Sequence, residues 1–368
     1  MIFMLADELS GLDDWSLEDV AAIEKIAQCA FEGAHIVVSE STAVLDHFLA
    51  APPETFSAVA TAVFKKLAAT FSFQGWLTES GFTFALVTPT SAKANAANRS
   101  RWVLSLADIR RMSLEPTTLL AENLVDAKIY TIAGAHYARV MKLRGLEVSA
   151  VARGGGGSTI VPELEEIVTR SDRVCFAITD SDQAWPEAGK SLVAKRCDKL
   201  VEQASAPAGH DCIPVRELEN LVPPSVLLDL ATSPSRVDAA RAFQALCGHF
   251  PEVRQCGDIK EGTAGSRVFR LPEAAPERHF LAALMARTQG ADSRCLRNDD
   301  CANERNQVPC QCVCVPKVGA VADGFHNWLN GRSHHKALEA FAGPWNEAWL
   351  AIGAMVLSWC CSRAMMHS

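Results

Sequence analysis

Residues 173–182 read RVCFAITDSD. An apolar run rich in Val, Ile and Phe stops at Asp180-Ser181-Asp182. Short, β-branched and unbroken, it reads as a buried strand whose carboxyl end presents two carboxylates. Residues i and i+2 of a strand share a face, so on an extended backbone Asp180 and Asp182 would reach one cation together. A second apolar run, residues 117–121, stops at Glu122. Open parallel sheets place their chemistry at the carboxyl ends of strands. Neighbouring strands ending in Glu122 and in Asp180-x-Asp182 would gather three carboxylates. Such a cluster repels itself unless a hard divalent cation, Mg²⁺ or Mn²⁺, sits in it. A carboxylate-held Mg²⁺ most often acts on phosphate esters.

Around these two runs the chain alternates strictly. A strand at 117–121 leads to a helix at 123–144 and a strand at 147–152. A glycine run at 154–157 precedes a helix at about 159–169, and the strand ending at Asp180 follows. A helix at about 187–203 leads to a strand near 211–215. Strand–helix alternation at this spacing predicts a parallel sheet with right-handed crossovers over residues 113–222. Before it, residues 1–112 predict an α+β domain: a helix capped by Ser16, strands at 35–39, 82–88 and 102–106, and a helix at 53–70. After it, residues 223–368 predict two helices within 223–250, a cysteine-rich stretch and a buried helix at 348–361.

The chain has 368 residues and a net charge of −8, so it is not a protein coated in positive charge. Any nucleic-acid contact must come from a local groove or from a partner. Residues 1–15, MIFMLADELSGLDDW, carry neither a basic segment nor a long apolar one, so no secretion signal is expected there. The run at 348–361 is too short for a membrane span. A cytoplasmic location is expected, where the 13 cysteines would be reduced or metal-bound.

Several further residues are candidates, each with a plainer reading beside it. Asp126 is one turn beyond Glu122: either a supporting group for a cation or a solvated first-turn acid. The glycine run admits a phosphate at backbone N–H groups or is a flexible loop. Glu217 and Glu219 follow the last expected strand; one would complete a two-cation site, or both sit on a solvated helix start. Arg139, Lys142, Arg144 and Arg153 are either contacts for a nucleic-acid strand or favourable charge near a helix end. Lys260, in CGDIKEGT, is an outside candidate for stabilising charge in a transition state. Cys295, Cys301, Cys310, Cys312 and Cys314 would hold a structural Zn²⁺, or are free thiols, or form a disulfide on oxidation.

The order strand–Glu–helix–strand–Gly–helix–strand–DxD–helix resembles the TOPRIM domain of topoisomerases, bacterial primases, recombination proteins and OLD-type nucleases. The resemblance covers residues 113–220. It implies that Glu122 matches the family's general acid/base or metal-binding glutamate, and that Asp180 and Asp182 match its metal-binding DxD. Leu218-Glu219-Asn220 is similar to the acidic element of the OLD-like phage-defence proteins. Two residues depart from the family: Asn123 stands where glycine usually follows the glutamate, and the glycine after the DxD comes late, at Gly189. The only tyrosines, Tyr130 and Tyr137, lie on the helix after Glu122, not in a separate domain as a topoisomerase needs. The cysteines follow the TOPRIM-like unit, whereas primases carry their zinc module before it. The resemblance therefore implies a Mg²⁺-dependent nuclease of DNA or RNA in bacterial antiviral defence, with one cation activating water and a second stabilising the leaving oxygen. Two rival expectations stand beside it. One is a non-catalytic, nucleic-acid- or nucleotide-binding subunit that works with a partner ATPase; on any of these readings a homo-oligomer is a further expectation. The other is a DxD phosphatase or phosphotransferase with Asp180 as nucleophile.

Overall fold

The computed structural model describes residues 1–79, 81–90, 101–288 and 312–365. The chain forms two units, each built from separate stretches. The first takes Met1–Thr179, Lys195–Asp211 and Leu350–Ser368; the second takes Asp180–Ala194 and Cys212–Trp349. The three consecutive segments expected from the sequence divide the chain elsewhere, at 112 and 222.

The first unit opens with β1 (Ile2–Leu5), β2 (Ile36–Ser39), β3 (Phe84–Thr88) and β4 (Arg101–Ser105), in the sheet order β2-β1-β3-β4. Every pairing in this sheet is parallel. The α+β expectation for residues 1–112 is thereby corrected to α/β. The sequence reading lacked β1, and without its central strand the order cannot be seen. All four residues of β1 are buried. A strand covered on both faces shows no polar alternation, and this one is too short to register as a run. Helices α1 (Leu17–Phe31), α2 (Thr42–Ala50), α3 (Ala58–Thr70), α4 (Gly75–Glu79) and α5 (Leu106–Arg111) fill the connections. The expected cap on α1 is present: Ser16 accepts a hydrogen bond from the Asp19 amide at 3.1 Å.

The second sheet of this unit carries the residues of interest. Its strands are β5 (Ser113–Ala121), β7 (Ala150–Gly154), β8 (Arg173–Thr179) and β9 (Ala208–Cys212), in the order β7-β5-β8-β9; the short β6 (Glu147–Val148) pairs instead, antiparallel, with Cys361–Ser362. Central β5 pairs parallel with both β7 and β8. Helix α6 (Leu124–Val140) follows β5, α7 (Ile160–Arg170) joins β7 to β8, and α8 (Leu192–Glu202) precedes β9. The alternation read from the sequence is therefore the alternation of the fold.

The last strand departs in register: expected near 211–215, it runs Ala208–Cys212. Gly209 hides it, because glycine weakens a strand pattern. The glycine is there for a close approach. A Cβ at 209 would lie 2.3 Å from Cζ2 of Trp359. Trp359 stacks on Phe176 of β8 with ring centroids 5.4 Å apart and planes 5° from parallel. Its carbonyl accepts the Thr117 hydroxyl at 2.7 Å. The C-terminal helix Pro344–Cys360, expected as buried over 348–361, thus packs on this sheet through its last turns, and Ile352, Val356 and Leu357 are buried. Among the described residues no helix is long and apolar enough to cross a membrane. A single core joins Ile2, Met4, Ile36 and Val38 of the first sheet to Leu146, Leu357 and Cys361. Burying an aliphatic side chain of this size contributes about 2 kcal/mol.

The second unit contains α9 (Pro224–Leu230) and α10 (Pro234–His249), the two helices expected within 223–250. Each begins on proline, whose missing N–H is harmless in a first turn. It also holds two short antiparallel strands, β10 (Thr263–Ala264) and β11 (Val313–Val315), and further helices, among them Pro276–Thr288 and Ala322–Asn330.

Candidate functional site

In the first unit, β5 ends with Ala121 opposite Ile178 of β8 and Gly154 of β7. Glu122 is the next residue, and its peptide is strapped in place. Gly155 donates its amide to the Ala121 carbonyl at 2.8 Å, and Gly157 donates to the Glu122 carbonyl at 2.9 Å. A Cβ on Gly154 would sit 2.4 Å from the Leu124 nitrogen. The glycine run is thus a close-packed strap across the end of β5, a role that neither sequence reading of it anticipated. Asn123 caps α6 together with Asp126. The Asp126 carboxylate accepts the Asn123 backbone amide at 3.1 Å and its side-chain amide at 3.0 Å. Asp126 is buried, and one of its oxygens is engaged in starting the helix. Asn123 therefore has a local reason to stand after Glu122. Arg139, Lys142, Arg144 and Arg153 are all exposed.

In the second unit the two acidic segments read from the sequence lie side by side. Strand β8 ends at Thr179, so Asp180, Ser181 and Asp182 lie beyond it. The Ser181 hydroxyl donates to the Val215 carbonyl at 2.7 Å, and the Asp182 amide donates to the Arg216 carbonyl at 3.0 Å. Asp182 has φ +53, the left-handed region. The expectation that strand alternation aims Asp180 and Asp182 alike is thereby corrected: the backbone has left the strand and turned. Asp tolerates this conformation better than most residues.

Arg216 is the hub of this arrangement. Its amide donates to the Gln255 carbonyl at 2.6 Å, and its guanidinium pairs with Asp258 at 3.1 Å. Glu217 follows, and its Oε1 accepts the Lys260 amide at 3.2 Å. Lys260 thus enters the group through its backbone. Glu219 is buried and accepts the Val321 amide at 3.3 Å. Asn220, wholly buried, donates to the Gly257 carbonyl at 2.8 Å, while its Oδ1 has no hydrogen-bond partner. Burial first, then the carboxylates of Glu219 and Asp258, push the Glu217 carboxyl up to about 7. The Lys260 amide and the Arg216 guanidinium oppose that rise without cancelling it.

Arg216, Asp258 and Ser181 were not singled out from the sequence. Asp258 stands two residues before Lys260 in a segment weighed only for its lysine, and its partner lies 42 residues away in the chain.

The donors gathered here are carboxylates and amide carbonyls, hard oxygens suited to Mg²⁺ or Mn²⁺ and not to soft metals. The raised Glu217 and the unpartnered Asn220 oxygen both fit a site that favours added positive charge. Among the described residues no three His, Cys, Asp or Glu side chains stand in metal-binding geometry. Of the five cysteines considered for zinc, Cys295, Cys301 and Cys310 lie outside the described residues. Cys312 is disulfide-bonded, and Cys314 is buried on β11 and in no disulfide. No family model, curated protein or solved structure matches the chain.

Proposed function

We propose that the chain is a metal-dependent nuclease of the TOPRIM type that cleaves phosphodiester bonds of DNA or RNA and serves in antiviral defence. The observation that carries this reading is the hydrogen-bonded pairing of the Asp180-Ser181-Asp182 segment with the Val215–Glu219 region. Two acidic segments, separated by 34 residues between Ser181 and Val215, are held together by backbone and hydroxyl bonds. Such bonds fix the segments whatever their charge. Glu122, first residue beyond the paired end of β5, is assigned the general acid/base or metal-binding role, and Asp180, Asp182 and Glu219 the metal-binding roles. A bound Mg²⁺ would supply charge for the phosphoryl oxygens and a more acidic water. The chain's own work is to hold these acidic segments in place. Arg216 is committed to Asp258. Lys260, whose backbone amide is fixed against Glu217, is the cation assigned to developing charge.

The test is incubation of the purified chain with plasmid, single-stranded DNA and RNA in Mg²⁺ or Mn²⁺, beside Asp180→Asn. Metal-dependent cleavage lost in the variant is the expected result. Tight binding of nucleic acid without cleavage would replace this reading with that of a binding subunit for a partner ATPase. Release of phosphate from monoesters alone would replace it with a phosphatase.

A further inference from the structure

His210 lies on β9, and its side chain is fully buried. Its Nδ1 is 3.0 Å from Oδ1 of Asp198 on α8, and its Nε2 is 3.0 Å from Oγ1 of Thr179, the last residue of β8. A carboxylate only accepts, so Nδ1 carries a proton and donates to Asp198. Nε2 is thereby turned onto the Thr179 hydroxyl. Thr179 is wholly buried, so this hydroxyl is no nucleophile despite its resemblance to the first member of a catalytic triad. The chain passes from the first unit to the second directly after Thr179, and again after Asp211, the residue following His210. The bridge therefore ties together the two strand ends from which the chain departs, and anchors both to α8. Valine would fill the Thr179 site as well in shape. A buried hydroxyl–imidazole–carboxylate chain carries a desolvation penalty that is offset only when every member is bonded, and in return it allows a single arrangement.

We propose that His210 is a positioning residue for the acidic segment that begins at Asp180: the Asp198–His210–Thr179 chain fixes the end of β8 and so sets where Asp180 leaves the sheet. This inference rests on the nuclease reading above. Supporting groups one layer behind metal-binding carboxylates typically change activity by roughly 10-fold or more.

The experiment compares wild type, Thr179→Val and Thr179→Ser in Mn²⁺-supported cleavage of a nucleic-acid substrate at its optimal length. The expected result is a kcat reduced roughly tenfold in Thr179→Val, with KM within about twofold of wild type, and recovery in Thr179→Ser. A merely structural role would lower stability and leave the kcat of the folded fraction unchanged. If Thr179→Val fails to fold, Asp198→Ala serves in its place, since Asp198 is partly exposed and sits on a helix that accepts alanine. The same loss of kcat is expected, because His210 then lacks the acceptor that orients it. Wild-type kcat in Thr179→Val, or in Asp198→Ala where that variant is needed, overturns the positioning role and leaves the nuclease reading standing. No cleavage by wild type in either metal overturns both.

Discussion

The Gly157 amide donates to the Glu122 carbonyl across 2.9 Å, so the glycine run that follows β7 holds the residue that follows β5. Parallel pairing of β5 with β7 places both strand ends on one edge. The strap then decides how the chain turns from Glu122 into α6.

Two glycines of the strap should respond differently to alanine. At Gly154 a Cβ would meet the Leu124 nitrogen at 2.4 Å, and backbone cannot move aside cheaply. Gly154→Ala should cost about 2–3 kcal/mol, as overpacking does, and should disturb Glu122. At Gly157 nothing lies within 4 Å, but φ is +70. Gly157→Ala should cost about 1–2 kcal/mol from backbone strain alone. Denaturant unfolding of both variants checks the order; a Gly157 variant less stable than the Gly154 variant would contradict the strap.

Asp182 tests a site residue and a turn residue at once. With φ +53 it sits where Asn is accepted and Ala is strained. Asp182→Asn should keep wild-type stability and lose cleavage. Asp182→Ala should lose cleavage and about 1 kcal/mol of stability besides. Equal stability of the two variants would mean that the left-handed turn is not kept in solution.

Glu217 predicts a pH dependence of stability. Its folded value, about 7, lies above the ordinary 4.5. Between those values the folded chain holds a proton that the unfolded chain releases. This group's contribution is therefore fully present below pH 4.5 and is lost as pH rises through about 7. Glu217→Gln cannot lose that proton. In EDTA, the variant should match wild type near pH 4.5 and exceed it by on the order of 2 kcal/mol at pH 8. A stability difference that does not change with pH would show that Glu217 is not held in this electrostatic setting.

The cysteines can be decided by composition. If residues 295–314 bind a structural zinc, protein purified under reducing conditions without added metal should contain close to one zinc per chain, and chelation should lower its thermal midpoint. Less than about one zinc in ten chains, with a titratable disulfide in its place, would assign Cys312 to the bond it makes here.

What could be read from the sequence was local. The apolar runs before Glu122 and Asp180, the helix between them and the glycine punctuation are properties of neighbouring residues. Period, run length and charge at a strand end therefore identified β5, α6, α7 and β8 and the carboxylates at their edges. Glu219 was legible for the same reason, as an acid following the last strand. Contacts between distant segments decided the remainder. β1 is central because β2 and β3 pair with its two edges, and both of its faces are covered, which removes the polar alternation that marks a strand. β9 was displaced in register because Gly209 admits the ring of Trp359, a residue of the C-terminal helix. The turn at Asp182 exists because Ser181 and Asp182 bond to Val215 and Arg216, and Asp258 joins the group through the Arg216 guanidinium. No window of sequence contains both partners of such a bond, so local pattern carries no trace of it. Only the folded chain brings the partners within hydrogen-bonding distance.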